Sequence, residues 1–169
     1  VISSLDYRGD LLDQSALTEC FVEAGLSRQW AASKAELLSQ SVTTLRDRLS
    51  VGSETKLSAF FVPGRIEVLG KHTDYCGGTS LLAAAEQGFA IACAPREDGT
   101  LRVTDVRCGE TIEFPFDGEI VPAVGHWSNY PMTVARRLAR NFAEASRGAE
   151  IAFGSDLPRA SGMRSSRAM

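Results

Sequence analysis

The feature that most constrains this chain is a run of apolar, glycine and polar residues at positions 63–78. The run reads Pro-Gly-Arg-Ile-Glu-Val-Leu-Gly-Lys-His-Thr-Asp-Tyr-Cys-Gly-Gly. Its apolar part ends at Gly70, and a polar cluster follows directly, made of Lys71, His72, Asp74 and Tyr75. Polar groups that follow an apolar strand this closely suit a small polyhydroxylated ligand, because each group can bond one hydroxyl. A solvated turn fits the same spacing equally well.

Composition and charge limit the classes of function. The chain has 169 residues, of which 44% are hydrophobic and 23% are charged, as in a soluble globular domain. Its formal net charge of -3 argues against a protein built to neutralise a nucleic-acid backbone. The most apolar stretch, at residues 81–94, is interrupted by Glu86, Gln87 and Gly88 and is too short to span a bilayer. We therefore predict a cytoplasmic protein with neither nucleic-acid nor membrane partners.

Helical spacing occurs in three segments. Residues 15–25 predict a short helix that ends at its glycine, and residues 27–49 predict a longer one. Residues 127–145 return to helical spacing further along the chain. The predicted apolar faces carry Leu17, Phe21 and Val22, then Leu38, Val42, Leu45 and Leu49, then Val134, Leu138 and Phe142.

Strand patterns fill the middle of the chain. Residues 59–62 and 66–69 predict two strands around a Pro63-Gly64 turn. Asp98-Gly99 predicts a hairpin turn. Further strands are predicted at residues 89–94, 101–103, 111–114 and 150–153. The order of helices, strands, one helix and a last strand indicates an α+β fold with a mainly antiparallel sheet and packed helices.

The run at residues 63–78 resembles the galactokinase signature Gly-Arg-x-Asn-Leu-Ile-Gly-Glu-His-Thr-Asp-Tyr. The residues shared with it are Gly64, Arg65, Gly70, His72, Thr73, Asp74 and Tyr75. Two further segments follow in the order that this family shows. Residues 127–130 resemble its Trp-x-Asn-Tyr segment, and residues 155–163 resemble the lead into its phosphate-binding glycine loop. The chain is thereby similar to the galactokinase family of the GHMP kinase superfamily.

This resemblance implies a GHMP-kinase N-terminal domain, which has the ribosomal-protein-S5-domain-2-like fold. We predict an N-terminal helical segment at residues 1–56 and the galactokinase-like domain at residues 57–169. The family's fold continues past the glycine loop, so we expect this domain to be truncated at its C-terminal end.

The resemblance also implies an ATP-dependent sugar kinase with a defined set of site residues. Galactose or a related sugar would contact Arg65, Lys71, His72 and Asp74. Arg65 would also be catalytic, because a guanidinium can stabilise charge on the phosphoryl group during transfer. The implied partners are therefore a small-molecule sugar and a nucleotide.

MgATP is implied as the cofactor, bound where the glycine loop opens a helix. Free N–H groups and a positive dipole end there face the phosphate oxygens. The implied nucleotide-binding residues are Gly162, Met163, Ser165, Ser166 and Trp127, and Ser166 is also the implied ligand of Mg2+. Trp127 serves equally well as a core anchor or as a wall of the nucleotide pocket.

This sequence departs from the family pattern in the sugar-binding signature and in the glycine loop. Lys71 stands where the signature has Glu, and an ammonium donates hydrogen bonds to hydroxyls but accepts none. A sugar that carries a carboxylate, such as a uronic acid, therefore suits Lys71 better than galactose does. Arg164 and Arg167 flank Ser165-Ser166, where they either attract phosphate or fill the space that phosphate needs.

An expected residue is also absent, because the family's catalytic Asp follows the glycine loop and the chain ends at Met169. We expect that the chain alone does not turn over, since half of the cleft cannot hold nucleophile and phosphate in line. The alternative is a degenerate, non-catalytic relative that acts as a sugar-binding or regulatory module.

Overall fold

A computed structural model describes residues 10–49, 56–70, 73–142, 144 and 147–158. The chain forms α1 (Gln14–Glu23), α2 (Arg28–Leu49), β1 (Ser58–Leu69), β2 (Leu81–Pro95), β3 (Thr100–Asp105), β4 (Thr111–Pro115), α3 (Asn129–Asn141) and β5 (Ala149–Ser155). A 3₁₀ turn, Thr73–Cys76, lies between β1 and β2. The predicted α+β class is confirmed. The division into segments 1–56 and 57–169 stays a prediction.

The five strands form one mixed sheet in the order β1-β2-β5-β3-β4. The pairs β1–β2, β2–β5 and β3–β4 are antiparallel, and β3 runs parallel to β5. The sheet is therefore mainly antiparallel, as predicted. The predicted hairpin at Asp98-Gly99 is wrong, because β5 lies between the two strands that this turn connects. Turn chemistry is local and does not reveal a strand that comes from the far end of the chain.

The predicted turn at Pro63-Gly64 is also wrong, because β1 continues through both residues. The register of β1 against β2 shifts between Pro63 and Arg65. Such a shift is a β-bulge, which bends a strand without ending it. Proline is tolerated there because β1 is an edge strand, so a missing N–H on its outer side leaves no neighbour unpaired.

One face of the sheet is closed by α1 and α2. The predicted apolar face of α2 is confirmed, since Leu38, Val42 and Leu45 are at most 1% exposed. These side chains cluster with alanines at alternate positions of β2 and β5, whose small side chains let the helix lie close to the sheet. Phe21 of α1 meets Phe61 of β1 edge to face, with ring centroids 5.6 Å apart.

The other face is covered by α3, which is shorter than the predicted 127–145. Ala135 is buried in a cluster with Val103, Phe114 and Ile120. The apolar face predicted from sequence, by contrast, points away from the rest of the described chain. Val134, Leu138 and Phe142 are 58%, 42% and 59% exposed.

Candidate sugar and nucleotide site

Two of the family-like segments meet at the end of β5. Pro63 in β1 pairs with Gly88 in β2, and the next residue, Phe89, pairs with Ser155 in β5. The first residues of the 63–78 run and the segment that follows β5 therefore lie in one row across three strands. The sheet brings together two segments that are distant in sequence.

Arg65 lies on β1 directly after the bulge, opposite Ala84. Its side chain is exposed and makes neither an ion pair nor a hydrogen bond with any residue that the structure describes. The preceding Gly64 is held tightly, since a Cβ there would lie 2.6 Å from Cδ2 of Leu157 and 3.1 Å from the carbonyl oxygen of Gln87. The close contacts of Gly64 thus fix the place of Arg65 on β1.

The loop after β1 is closed by hydrogen bonds to one carbonyl group. The oxygen of Gly70 accepts bonds from the Thr73 amide at 3.1 Å, from Thr73 Oγ1 at 2.8 Å and from Ser80 Oγ at 2.9 Å. Gly70 has a φ of +86°, and a Cβ there would lie 2.6 Å from the Thr79 oxygen. Glycine is therefore required at this position. Neither Thr73 nor Ser80 was predicted to have a role in the site, although Thr73 is part of the signature.

The remaining predicted ligands are not placed. Lys71, His72, Gly162, Met163, Ser165 and Ser166 lie outside the described residues, as do Arg164 and Arg167. The backbone of Asp74 lies in the 3₁₀ turn Thr73–Cys76, next to the closed loop. The roles of these residues stay predictions.

Trp127 lies two residues before α3 and makes both an aromatic and a polar contact. Its ring packs on Phe153 of β5 with centroids 5.6 Å apart, and its Nε1 donates to Glu110 Oε2 at 2.8 Å. The other Glu110 oxygen lies 2.9 Å from Nε2 of His126. Nδ1 of His126 accepts from the Ser128 amide at 3.2 Å, so a neutral imidazole would carry its proton on Nε2. These contacts fit a core anchor, and the nucleotide role of Trp127 stays a prediction.

A buried ion pair holds the segment that follows β5. Lys34 of α2 contacts Asp156 Oδ2 through its Nζ, which lies 4.7 Å from the centroid of the Trp30 ring. Asp156 Oδ1 accepts from the Gly88 amide at 2.8 Å, and Gln87 Nε2 donates to the Asp156 carbonyl at 3.3 Å. Asp156 therefore links α2, β2 and the segment after β5.

The role of Lys34 was not predicted, although the sequence contains a signal for it. Lys34 stands four residues before Leu38, so it shares the apolar face of α2. It is 0% exposed. A lysine at a core position of a helix needs an anionic partner, because burying an isolated ammonium is costly. The partner's identity could not be read from the sequence, since Asp156 lies at the other end of the chain.

A carboxylate also marks the start of α2. Glu86 Oε1 accepts a hydrogen bond from the Ser27 amide at 2.5 Å. That bond lowers the pKa of Glu86 below its usual value, because the donor favours the charged form. The β2 strand thus stabilises the first turn of the helix that carries Lys34.

Two kinds of feature are absent from the described residues. Among them, no group of three or more His, Cys, Asp or Glu side chains could hold a metal ion. None of the helices in the described ranges is long and apolar enough to cross a membrane.

Comparison with known proteins identifies the relatives. Residues 50–95 match the family described as the galactokinase galactose-binding signature. The galactokinase of Actinobacillus pleuropneumoniae serotype 5b is 35% identical over 109 residues, which are 64% of this chain and 28% of that protein. Over this part of its length the chain is similar to galactokinases. The galactokinase of Glaesserella parasuis serovar 5 is 36% identical over the same length and the same shares.

A solved galactokinase structure is also similar to this chain. Lactococcus lactis galactokinase, complexed with galactose, superposes with a TM-score of 0.59 and 32% identity. The match covers 75% of this chain and 34% of the Lactococcus chain. The predicted resemblance to the N-terminal part of galactokinases is confirmed, and the mixed sheet with its helices is consistent with a GHMP-kinase N-terminal domain. The chain spans just over a quarter of the curated galactokinases that it matches.

Proposed function

We propose that this chain provides the sugar-binding part of a galactokinase-type, ATP-dependent sugar kinase. The observation that carries the proposal is the match of residues 50–95 to the galactose-binding signature. That segment contains Arg65 and the loop closed on Gly70. Arg65 contacts the sugar together with Lys71, His72 and Asp74.

The arrangement of described residues supports a phosphate-bearing partner beside the sugar. Arg65 is exposed and keeps its guanidinium free of bonds within the described ranges. It directly follows Gly64, against which Leu157 packs. MgATP would be held by Gly162, Met163, Ser165 and Ser166, which follow that segment, with Ser166 on Mg2+ and Trp127 at the nucleotide. When bound, MgATP supplies the phosphoryl group, and the role of Arg65 is to stabilise negative charge that develops beside the sugar hydroxyl.

The preferred sugar is one with a carboxylate, because Lys71 stands in the signature loop. A charge-assisted hydrogen bond between an ammonium and a carboxylate is about twice as strong as a neutral one. Galacturonate is therefore expected to bind more tightly than galactose. Lys71→Glu is expected to reverse that order, since a carboxylate accepts from sugar hydroxyls and repels the acidic sugar.

Calorimetric titration of this chain with galactose and galacturonate tests the sugar site. Asp74→Ala is expected to lower affinity for both sugars to below detection. Asp117→Ala changes an exposed carboxylate in the loop after β4 and serves as the control. If Asp74→Ala binds sugar as tightly as the unmodified chain, the assignment of the site is wrong.

The nucleotide side is expected to be obstructed by Arg164 and Arg167. A ligand that binds only the folded state raises the melting temperature, so MgATP is expected to leave Tm unchanged. The double variant Arg164→Ser/Arg167→Ser is expected to gain a Tm increase with MgATP. If MgATP raises the Tm of the unmodified chain, Arg164 and Arg167 would instead be assigned as phosphate ligands.

Phosphoryl transfer is the remaining test, with radiolabelled ATP and each sugar. We expect no turnover by this chain and turnover by a chain extended past Met169 that carries the family's catalytic Asp. Sugar binding without transfer by the extended chain would favour the alternative, a non-catalytic sugar-binding or regulatory module.

A further inference from the structure

We propose that Lys34 and Asp156 form a positioning pair that sets the place of Arg65 and of the segment leading into the glycine loop. The consequence for ligand binding rests on the proposed function. The pair itself rests on contacts within the described residues.

The first step is the isolation of Lys34 from solvent. Lys34 is 0% exposed and lies on the face of α2 that carries Leu38. A buried ammonium needs an anion close by, because burying an isolated charge is costly. Asp156 provides that anion and is itself only 14% exposed at its side chain. The position of Asp156 is thereby tied to a rigid helix.

The second step is the set of bonds from Asp156 to β2. Its Oδ1 accepts from the Gly88 amide at 2.8 Å, and its own amide donates to the Gly88 carbonyl at 3.3 Å. Gln87 Nε2 adds a bond at 3.3 Å to the Asp156 carbonyl. The β2–β5 pairing ends at Ser155, so these bonds continue the attachment one residue past the strand.

The third step leads from Asp156 to Arg65. Leu157 is 9% exposed and packs on Gly64, where a Cβ would come within 2.6 Å of its Cδ2. Close packing transmits a displacement, because neither side has free volume. A shift of Asp156 therefore moves Leu157 against the bulge that precedes Arg65.

Apolar side chains could attach α2 to the end of the sheet at this position without any charge. An apolar pair of similar volume at such a site is often neutral or stabilising. The ion pair fixes the segment at one place, because the Asp156 carboxylate must satisfy Lys34 and Gly88 together. The ion pair therefore constrains the position of Asp156 rather than the stability of the fold.

The test uses hydrogen exchange followed by NMR, with calorimetric sugar titration, on this chain. The main variant is Lys34→Met/Asp156→Asn, which removes both charges and so avoids an unpaired buried ion. The single variants Lys34→Met and Asp156→Asn are measured where they fold. Glu150→Gln is the matched control, since Glu150 lies at the opposite end of β5, is 1% exposed and pairs with Arg96 and Arg102.

In the double variant we expect exchange at the Gly88, Leu157 and Arg65 amides to rise at least tenfold relative to Ala92 and Ala152. We also expect sugar affinity to fall about tenfold while Tm stays within a few degrees of the unmodified value. In Glu150→Gln, exchange is expected to change near that residue, with sugar affinity unchanged.

Exchange that rises uniformly over the chain, or not at all at Leu157 and Arg65, would show that the pair has only a structural role. Sugar affinity equal to that of the unmodified chain would contradict the positioning of Arg65 for a ligand. If the unmodified chain binds neither galactose nor galacturonate, the proposed function fails, and the exchange pattern alone still decides whether the pair positions the segment.

Discussion

Helices α2 and α3 have apolar faces of similar sequence pattern but opposite surroundings. Leu38, on α2, is 1% exposed, whereas Leu138, on α3, is 42% exposed. Both positions were assigned to an apolar face by the same spacing. The difference teaches that periodicity identifies the face of a helix but says nothing about whether a partner covers it.

The strands β2 and β5 explain why the apolar face of α2 is buried. Their alternate residues facing α2 are Ala90, Ala92, Ala94 and Ala152, all buried. Small side chains on the sheet leave room for the large side chains of the helix, so the two layers approach closely. On the other face, α3 is held through Ala135 and its N-terminal neighbours, which leaves its larger apolar side chains outside.

The largest difference in stability between the two helices is expected when a charge is introduced into each apolar face. Val42→Lys places an ammonium at a position that is 0% exposed and should lower the free energy of unfolding by several kcal/mol, because the buried charge has no anion. Val134→Lys, at 58% exposure, should change it by about 0.5 kcal/mol or less. Urea denaturation of both variants measures the difference. Equal losses would mean that Val134 is covered in the folded protein.

Truncation of the two leucines should give a smaller contrast of the same sign. Leu38→Ala is expected to lower the free energy of unfolding by about 2–5 kcal/mol, since the closed core leaves a cavity. Leu138→Ala should lower it by about 1 kcal/mol or less, because exposed apolar surface is already in contact with water. The two substitutions are chemically identical, so each is the control of the other. If Leu138→Ala lowers the free energy of unfolding by more than about 2 kcal/mol, the conclusion that the apolar face of α3 is exposed is wrong.

The smallest of the expected effects is a loss of stabilisation at the start of α2 in acid. The pKa of Glu86 is lowered by its bond to the Ser27 amide, so its stabilisation of α2 is present above the unfolded value of 4.5 and is lost as pH falls below it. The Tm difference between the unmodified chain and Glu86→Gln should therefore be largest near neutral pH and narrow below about pH 4.

Glu119→Gln is the control for this acid experiment on the α3 side. Glu119 pairs with Arg140 of α3 at 3.0 Å in an exposed position. Exposed ion pairs contribute little to stability, so this variant should shift Tm less than Glu86→Gln does at pH 7. A larger Tm shift for Glu119→Gln than for Glu86→Gln at pH 7 would contradict this prediction.

Several features of the fold followed from local pattern. The positions of α1 and α2 and the apolar face of α2 were predicted because helix periodicity and ending signals are local. The unbroken β1 was missed, because Pro63-Gly64 has the chemistry of a turn and its bulge exists only when β2 pairs alongside.

The sequence by itself determined the resemblance to galactokinases and the α+β class, because both depend on patterns among neighbours in the chain. Tertiary structure alone decided that β5 enters between β2 and β3, that Lys34 meets Asp156, and that Leu138 stays 42% exposed. These three outcomes depend on which distant segments share a sheet, and the free energy of burial acts between surfaces brought together by the whole fold. No local pattern carries that information.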